Sequence, residues 1–324
     1  MTASNEIRTG YNTPFISNRA DPYIVRHTDG NYYFTATSPL YDRIIIRKSG
    51  TLMGLKDAPE HVIWERHEKG NMSKHIWAPE LHYIDGSWYI YFAASRVSSK
   101  WRLRPYIFKC RGQDPVNDRW DEMGQIRCAD DDIYSFRAFS LDSTVFSHRG
   151  KLYIIWAEKV SVGIQISNLY IAEMESPLKL KTCQVLLTTP DYDWERRDIW
   201  VNEGPAVIKH GGKIYVTYSA SATGECYCMG MLEINEDEDI LDPRAWKKRR
   251  QPVLKSDPEK GFFGPGHNSF TYLPDGTPVC VFHARTYSEI EGDPLDDPNR
   301  HCFIMKVKWN SDGSPVFSFD DILT

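Results

Sequence analysis

The chain has 324 residues, of which 41% are hydrophobic and 26% are charged, a composition typical of a soluble globular protein with a large core. Its formal net charge of −5 argues against a nucleic-acid partner, because phosphate binding needs concentrated positive charge. No stretch of the sequence approaches the roughly 18 consecutive apolar residues of a membrane-spanning helix, so no membrane partner is expected.

The N-terminal sequence and the cysteines predict a cytoplasmic protein. Residues Met1 to Phe15 contain no apolar segment of the kind that marks a secretory signal. The seven cysteines are an odd number and are scattered along the chain, which is typical of reduced thiols in the cytosol. They also lack the repeated C-x-x-C spacing of most zinc sites.

Five segments of the sequence repeat one pattern, in which a strand-like run is followed by a turn that contains glycine and then by an aromatic-rich run. Val, Ile, Tyr, Phe and Trp flank the turns, and these residue types favour β-strands. Asp-Gly, Arg-Gly and Gly-Gly at the turns tolerate the positive φ of tight hairpins. In chain order the turn glycines are Gly30, Gly86, Gly150, Gly212 and Gly276. Each segment is therefore predicted to contain a β-hairpin.

The turn glycines recur about every sixty residues, which is enough for the four short strands and loops of one propeller blade. No segment shows a sustained helical period, which argues against a doubly wound α/β fold. The sequence thus predicts an all-β protein, a five-bladed β-propeller that forms a single domain over residues 1–324. The expected blades are 12–70, 71–135, 136–196, 197–260 and 261–315, and no appended carbohydrate-binding module is expected.

Three acidic residues fall at nearly the same place in three repeats, shortly before the turn glycine: Asp21, Asp142 and Glu203. The first strand of each propeller blade lines the central axis, so side chains at equivalent positions should converge on one cavity. Acids brought together in a partly desolvated pocket have pKa values that split. One of them can then donate a proton to a glycosidic oxygen, while another is ionised and activates water.

The other two repeats carry different side chains near this position. Glu80 in the second repeat is displaced along the strand, and we assign it a supporting structural role. His267 in the fifth repeat is expected to point to the same axis as the acids, where it would bind an ion or an ordered water molecule.

Six stretches, which together span most of the chain, match one known family in the same order. They are RADPYIV (Arg19 to Val25), HIWAPELHYIDGSWYIYFAAS (His75 to Ser95), LDSTVF (Leu141 to Phe146), VNEGPAVIKHGGKIYVTYSAS (Val201 to Ser221), GPGHNSF (Gly264 to Phe270) and FHAR (Phe282 to Arg285). In these stretches the sequence resembles the family-43 glycoside hydrolases, in particular the α-L-arabinofuranosidases.

The resemblance implies a role for each of the three acids. Asp21 is similar to the family's general base, Glu203 to its general acid, and Asp142 to the third acid that tunes the pKa of Glu203 and orients it. The implied mechanism is a single displacement with inversion, and this chemistry requires no cofactor. The N-D-P-N-G motif of propeller families that retain configuration is absent near the N-terminus.

The resemblance also implies three binding residues. His267 is similar to the family's channel histidine, which commonly holds a hydrated calcium or other ion at the propeller centre. Trp77 and Arg285 match positions that line the sugar pocket, the indole as an apolar wall and the guanidinium as a donor to sugar hydroxyls.

The implied activity is the release of terminal α-L-arabinofuranosyl residues from oligosaccharides derived from arabinan or arabinoxylan, so the expected partner is a pentose-containing oligosaccharide. A β-D-xylosidase acting on xylo-oligosaccharides remains open, because a pentopyranose and a pentofuranose differ little in size. A non-catalytic sugar-binding propeller is a more distant alternative. The three intact acids count against it, because a lectin needs no proton donor.

Overall fold

The computed structural model describes residues 12–160 and 165–324. These residues form an all-β structure, which confirms the predicted class. The helical elements in this part of the chain are three 3₁₀ turns, at Met53–Leu55, Asp193–Glu195 and Phe319–Asp321. Within the same residues no helix is long and apolar enough to cross a membrane.

The strands follow one another in groups along the chain, and within each group they pair antiparallel with their neighbours. The first group contains β1 (Ala20–Arg26), β2 (Tyr32–Thr37), β3 (Arg43–Ser49) and β4 (His61–Glu65). The second contains β5 (Lys74–Ile84), β6 (Ser87–Arg96), β7 (Ser99–Cys110) and β8 (Trp120–Gln125). The third contains β9 (Ser140–His148), β10 (Lys151–Val160), β11 (Ile166–Ser176), β12 (Lys179–Leu180) and β13 (Val185–Thr188).

Two further groups and a small hairpin complete the described strands. The fourth group contains β14 (Trp200–His210), β15 (Lys213–Ala220), β16 (Cys228–Asn235) and β17 (Lys247–Lys248). The fifth contains β18 (Phe263–Tyr272), β19 (Pro278–Arg285) and β20 (His301–Lys306), and it is followed by the pair β21 (Lys308–Trp309) and β22 (Pro315–Val316). A short parallel pairing of β11 with β14 joins the third and fourth groups into one nine-stranded sheet.

The start of the described chain pairs with the fifth group. The backbone N–H groups of Phe15 and Ile16 donate to the carbonyl of Cys302 in β20, and the N–H of Cys302 donates to the carbonyl of Ile16. This pairing adds a fourth edge segment to the three-stranded group. It ties together two parts of the chain that are far apart in the sequence.

The first strands of the five groups contact one another in a closed cycle. β1 packs against β5, β5 against β9, β9 against β14, β14 against β18, and β18 against β1. Side chains on these five strands therefore meet in one central region, although the strands lie far apart along the chain.

Aromatic side chains fill the space between neighbouring groups of strands. The tyrosines that follow the turn glycines in four repeats, Tyr33, Tyr89, Tyr153 and Tyr215, are all buried. Tyr33 packs edge-on against Trp88 of the second group, with ring centroids 5.1 Å apart. Full burial of one such large side chain contributes about 2 kcal/mol, so the repeated aromatic position stabilises the contact between adjacent groups.

Each of the five first strands also contains a β-bulge with a left-handed residue. These residues are Asp21 (φ 52°), Ala78 (46°), Asp142 (54°), Gly204 (54°) and His267 (45°), and each lies where the register with the second strand shifts. A left-handed conformation costs a non-glycine residue about 1–2 kcal/mol. Bulges re-aim side chains, and strain of this kind concentrates at functional sites.

Candidate active site

One cavity of about 130 Å³ collects side chains from all five groups of strands. Asp21, Asp142, Glu203, His267 and Trp77 all line it. The structure therefore brings together every acid that the repeats singled out, together with the histidine and the tryptophan. The volume lies well below the roughly 300–1,000 Å³ of sites for drug-sized ligands, so the cavity suits a small group such as one sugar ring.

The bulges show how the three acids are related. Asp21 and Asp142 are themselves the left-handed residues of their strands, whereas Glu203 immediately precedes the left-handed Gly204. The expectation of one shared position therefore holds for the two aspartates, and Glu203 lies one residue earlier. A side chain at Gly204 would crowd His267, because its Cβ would lie 3.1 Å from His267 Cγ.

Asp21 is surrounded by groups that favour its ionised form. Thr37 Oγ1 donates to Asp21 Oδ2 over 2.6 Å, and the other carboxylate oxygen, Oδ1, lies 3.2 Å from His267 Nδ1 and 3.5 Å from Arg300 Nη1. Burial by itself would raise the pKa of Asp21, but the charges of His267 and Arg300 outweigh it and hold the pKa well below its ordinary value. Asp21 is therefore a carboxylate at neutral pH.

The backbone of Asp21 is held by a neutral histidine. Its N–H donates to His283 Nδ1 over 3.0 Å. Burial lowers the pKa of His283 to about 3, so the ring is uncharged and its Nδ1 can accept this hydrogen bond. This contact helps to fix the left-handed backbone at the bulge.

Asp142 and Glu203 form the opposite half of the site. The N–H of Gly204 donates to Asp142 Oδ2 over 3.0 Å, which ties Asp142 to the residue next to Glu203. Burial raises the pKa of both acids, and repulsion from neighbouring carboxylates raises it further, while attraction to His267 only partly opposes these effects. This pair therefore keeps a proton to a higher pH than Asp21 does.

His267 lies between the two halves of the site. Its Nδ1 is 3.2 Å from Asp21 Oδ1 and 3.8 Å from Asp142 Oδ2. Burial would lower the pKa of His267, but the surrounding acids raise it above its ordinary value. The ring thus supplies positive charge that offsets part of the repulsion among the acids.

The structure shows no cluster of metal ligands around His267 in the part of the chain that it describes. Among residues 12–160 and 165–324, no group of three or more His, Cys, Asp or Glu side chains is placed to hold a metal ion. The amide of the buried Asn268, next in the strand, has no hydrogen-bond partner within these residues. An ion near His267 therefore stays a prediction.

Trp77 lies where a sugar-pocket wall was expected, and Arg285 does not. Trp77 lines the cavity and stacks on His75, with ring centroids 4.4 Å apart and an interplanar angle of 20°. Arg285 is 2% exposed and is not among the lining residues. Its guanidinium donates to the carbonyls of Thr223 and Pro294, over 2.7 Å each, so it supports two loops instead of facing a sugar.

Several lining residues escaped the repeat pattern, among them Trp101, Lys159, Tyr227 and Arg300. They lie on β7, on β10, just before β16 and just before β20, so none belongs to a first strand. Arg300 comes directly after the sequence DPN, which forms a turn in which the Asn299 N–H donates to an Asp297 side-chain oxygen. This turn motif before Arg300 is the one feature of the sequence that could have drawn attention to any of these residues.

Tyr227 offers a test of the proton balance at Glu203. Its hydroxyl donates to Glu203 Oε1 over 3.0 Å, and this bond favours the carboxylate and lowers its pKa. Tyr227→Phe should therefore raise the pKa of Glu203 and move the alkaline limb of the pH–activity profile up by about one unit. The control is Tyr83→Phe, because the exposed Tyr83 hydroxyl donates only to Gln113. An alkaline limb that stays at the same pH, or that moves to a lower pH, would contradict this effect of the hydrogen bond.

The comparisons with known proteins agree with one another. The family model for glycosyl hydrolases family 43 matches residues 11–315. An extracellular exo-α-(1→5)-L-arabinofuranosidase of Streptomyces avermitilis is 46% identical over 308 residues, which is 95% of this chain and 63% of that protein. An enzyme with the same description from Streptomyces chartreusis is 47% identical over 285 residues, which is 88% of this chain and 85% of that protein. The chain thus spans 63% of the length of the first of these relatives, which is less than two thirds of it.

A solved structure is similar over nearly the whole length of both chains. The crystal structure of α-L-arabinofuranosidase from Lactobacillus brevis is 50% identical, with a TM-score of 0.89, and the match covers 94% of this chain and 95% of that one.

The expectation of a cytoplasmic protein is wrong. Both Streptomyces relatives are named as extracellular. All seven cysteines are free thiols, as their scatter along the sequence suggested. A chain of this size, however, buries a large core and needs no disulfides, so its thiols do not report the compartment.

The family match covers most of the chain, and the relatives exceed 45% identity over at least 88% of it. Residues of the shared stretches also meet in the central cavity, among them Asp21, Trp77, Asp142, Glu203 and His267. The chain belongs to glycosyl hydrolases family 43.

Proposed function

We propose that this protein is an inverting glycoside hydrolase that releases terminal α-L-arabinofuranosyl residues from pentose-containing oligosaccharides. One observation carries the proposal: a single small cavity holds an ionised carboxylate, Asp21, and a pair of acids, Asp142 and Glu203, whose pKa values are raised. Hydrolysis by inversion requires this division between a base and a proton donor. The sugar is taken from the relatives that are named arabinofuranosidases.

In this mechanism Asp21 acts as the general base and takes a proton from the attacking water. Glu203 acts as the general acid and gives its proton to the leaving oxygen. Asp142 orients this region through its bond to the N–H of Gly204 and shares the proton balance with Glu203. Trp77 forms a flat apolar wall against the sugar ring.

None of the proposed steps uses a cofactor. We propose that an ion near His267 would be held through water molecules and would take no part in the proton transfers. The small volume of the cavity, about 130 Å³, favours a single terminal residue over an internal stretch of a chain.

We further propose that the fold is a five-bladed β-propeller in a single domain, with blades at 12–70, 71–135, 136–196, 197–260 and 261–315. The closed cycle of contacts among β1, β5, β9, β14 and β18 supports this arrangement. The pairing of Ile16 with Cys302 supports it as well, because it joins the start of the ring to its last group.

The test compares two chromogenic pentosides, nitrophenyl α-L-arabinofuranoside and nitrophenyl β-D-xyloside. We expect kcat/KM to be much higher for the arabinofuranoside, and we expect arabinose to be released from the ends of arabino-oligosaccharides. Faster turnover of the xyloside would favour a β-xylosidase. Sugar binding without turnover of either compound would favour a non-catalytic sugar-binding protein.

A further inference from the structure

A second, larger cavity of about 520 Å³ opens beside the cavity that holds the acids. Trp101, Phe139 and Lys159 line both, so they form the boundary between them. In a glycosidase the general acid protonates the oxygen of the leaving group, and the rest of the substrate extends outward from that point. The larger cavity provides space for this part of the substrate directly next to the acids.

The larger cavity is strongly basic. Arg102, Arg104 and Arg137 line it together with Lys159, and no acidic residue does. Across the described ranges 12–160 and 165–324, none of these four side chains forms an ion pair. The cavity is thus locally positive, although the whole chain has a net charge of −5. A basic surface of this kind attracts anions and focuses their approach.

Glu158 is the acid that attracts Arg104, and it lies outside the lining of the cavity. Its carboxylate is buried and accepts hydrogen bonds from the backbone N–H groups of Phe136 and Ala138, over 2.9 Å each, and from Trp156 Nε1. These bonds fix the carboxylate against the loop that contains Phe136 and Ala138, and its single negative charge can offset only part of the four positive charges.

The four cations differ in how freely they can reach a ligand. Arg104 donates to the carbonyls of Arg137 and Ala138 and so holds the loop in place. Lys159 Nζ lies 4.3 Å from the centroid of the Phe139 ring. Arg102 is exposed and has no side-chain hydrogen bond within the described residues, and Arg137 uses only its Nε, which donates to the carbonyl of Ile133. Within residues 12–160 and 165–324 no partner occupies the terminal guanidinium nitrogens of Arg102 and Arg137, so these nitrogens can reach a ligand.

We propose that this basic groove, formed by Trp101, Arg102, Arg104, Arg137, Phe139 and Lys159, binds the leaving-group side of the substrate and prefers a saccharide that carries a carboxylate, a uronic acid. The inference rests on the proposed function, because it takes Glu203 as the acid next to the leaving group. Guanidinium groups match a carboxylate with two parallel hydrogen bonds. Trp101, which is 48% exposed, offers a face on which a sugar ring can stack.

The test measures direct binding, by calorimetry, of a xylo-oligosaccharide that bears one glucuronate group and of the same compound with its carboxyl group reduced to an alcohol. We expect the acidic form to bind about tenfold more tightly at low salt, since a charge-assisted hydrogen bond contributes about this much. The preference should shrink in 0.5 M salt, because exposed charges are then screened. Arg102→Gln combined with Arg137→Gln should abolish it.

The control is Arg119→Gln, because Arg119 is an exposed arginine of the same group of strands and lies outside both cavities. It should keep both the preference and the arabinofuranosidase activity. An unchanged melting temperature in the double variant would show that any loss is not due to unfolding. Equal binding of the acidic and reduced compounds, or a preference that survives the double substitution, would overturn the inference.

Because binding needs no turnover, this test is independent of the hydrolysis test. Hydrolysis of arabinofuranosides without a preference for the acidic compound would refute the groove and leave the proposed function standing. A preference that depends on Arg102 and Arg137, in a protein that hydrolyses no arabinofuranoside, would support an anionic-saccharide site and refute the proposed function.

Discussion

Glu203→Ala is expected to lower kcat on arabino-oligosaccharides by about 10²–10⁴-fold, which is the usual contribution of a general acid. A natural leaving group is a poor one and needs the proton that Glu203 supplies. Nitrophenolate departs with little protonation, so hydrolysis of nitrophenyl α-L-arabinofuranoside should be partly spared. Steady-state kinetics on both substrates provides the measurement.

Glu68→Ala serves as the matched control, because Glu68 is an exposed glutamate in the loop between β4 and β5 and lies outside the cavity. It should leave both activities unchanged. If Glu203→Ala reduces the two activities equally, Glu203 is not the proton donor.

Asp21→Asn is expected to eliminate activity on both kinds of substrate. The amide cannot take a proton from water, and the quality of the leaving group does not replace that step. We expect a loss of at least about 10³-fold in kcat for the nitrophenyl and natural substrates alike. The loss of kcat on the natural substrate, divided by the loss on the nitrophenyl substrate, should be close to one for Asp21→Asn and well above one for Glu203→Ala.

Asp21 also neutralises buried charge, so stability must be measured alongside activity. Its Oδ1 lies 3.5 Å from Arg300 Nη1, and removing one partner of a buried ion pair costs about 3–5 kcal/mol. We therefore expect a lower melting temperature as well. Asp85→Asn, at an exposed hairpin turn, is the control and should keep both stability and activity. Substantial activity of folded Asp21→Asn on either substrate would exclude Asp21 as the base.

The repeat pattern predicted the parts of the structure that depend on local chemistry. Glycines at hairpin turns and the tyrosines after them are constrained by backbone conformation and by packing between sheets, so they recur where the strands recur. The two aspartates and His267 could be found in the same way, because each occupies the left-handed bulge position of its strand. The sequence spacing identified Glu203 as well, but it could not show that Glu203 lies one residue before the left-handed bulge position, because bulges and hairpins of different length shift the register.

The remainder of the site depends on loops and on outer strands, which have no repeated pattern. Arg300, Tyr227 and Lys159 reach the cavity from such segments, and only the folded chain brings them together with the acids. Arg285 is the reverse case, because the shared stretches suggested it as a pocket residue and it does not line the cavity. It is the last residue of β19 and belongs to a stretch shared with the family, yet its guanidinium donates to the carbonyls of two loops. A side chain's direction at the end of a strand is set by tertiary contacts that spacing does not reveal.

In the proposed mechanism Asp21 and Glu203 act on opposite sides of one sugar in a single displacement. Proton NMR of the first-formed sugar, recorded within the first minutes of hydrolysis of an α-L-arabinofuranoside and before mutarotation, tests it most directly. We expect the β-anomer to appear first and the α-anomer only later, because inversion at the anomeric carbon produces the β-anomer. Initial release of the α-anomer would show retention of configuration and would contradict the assignment of Asp21 as a base that activates water.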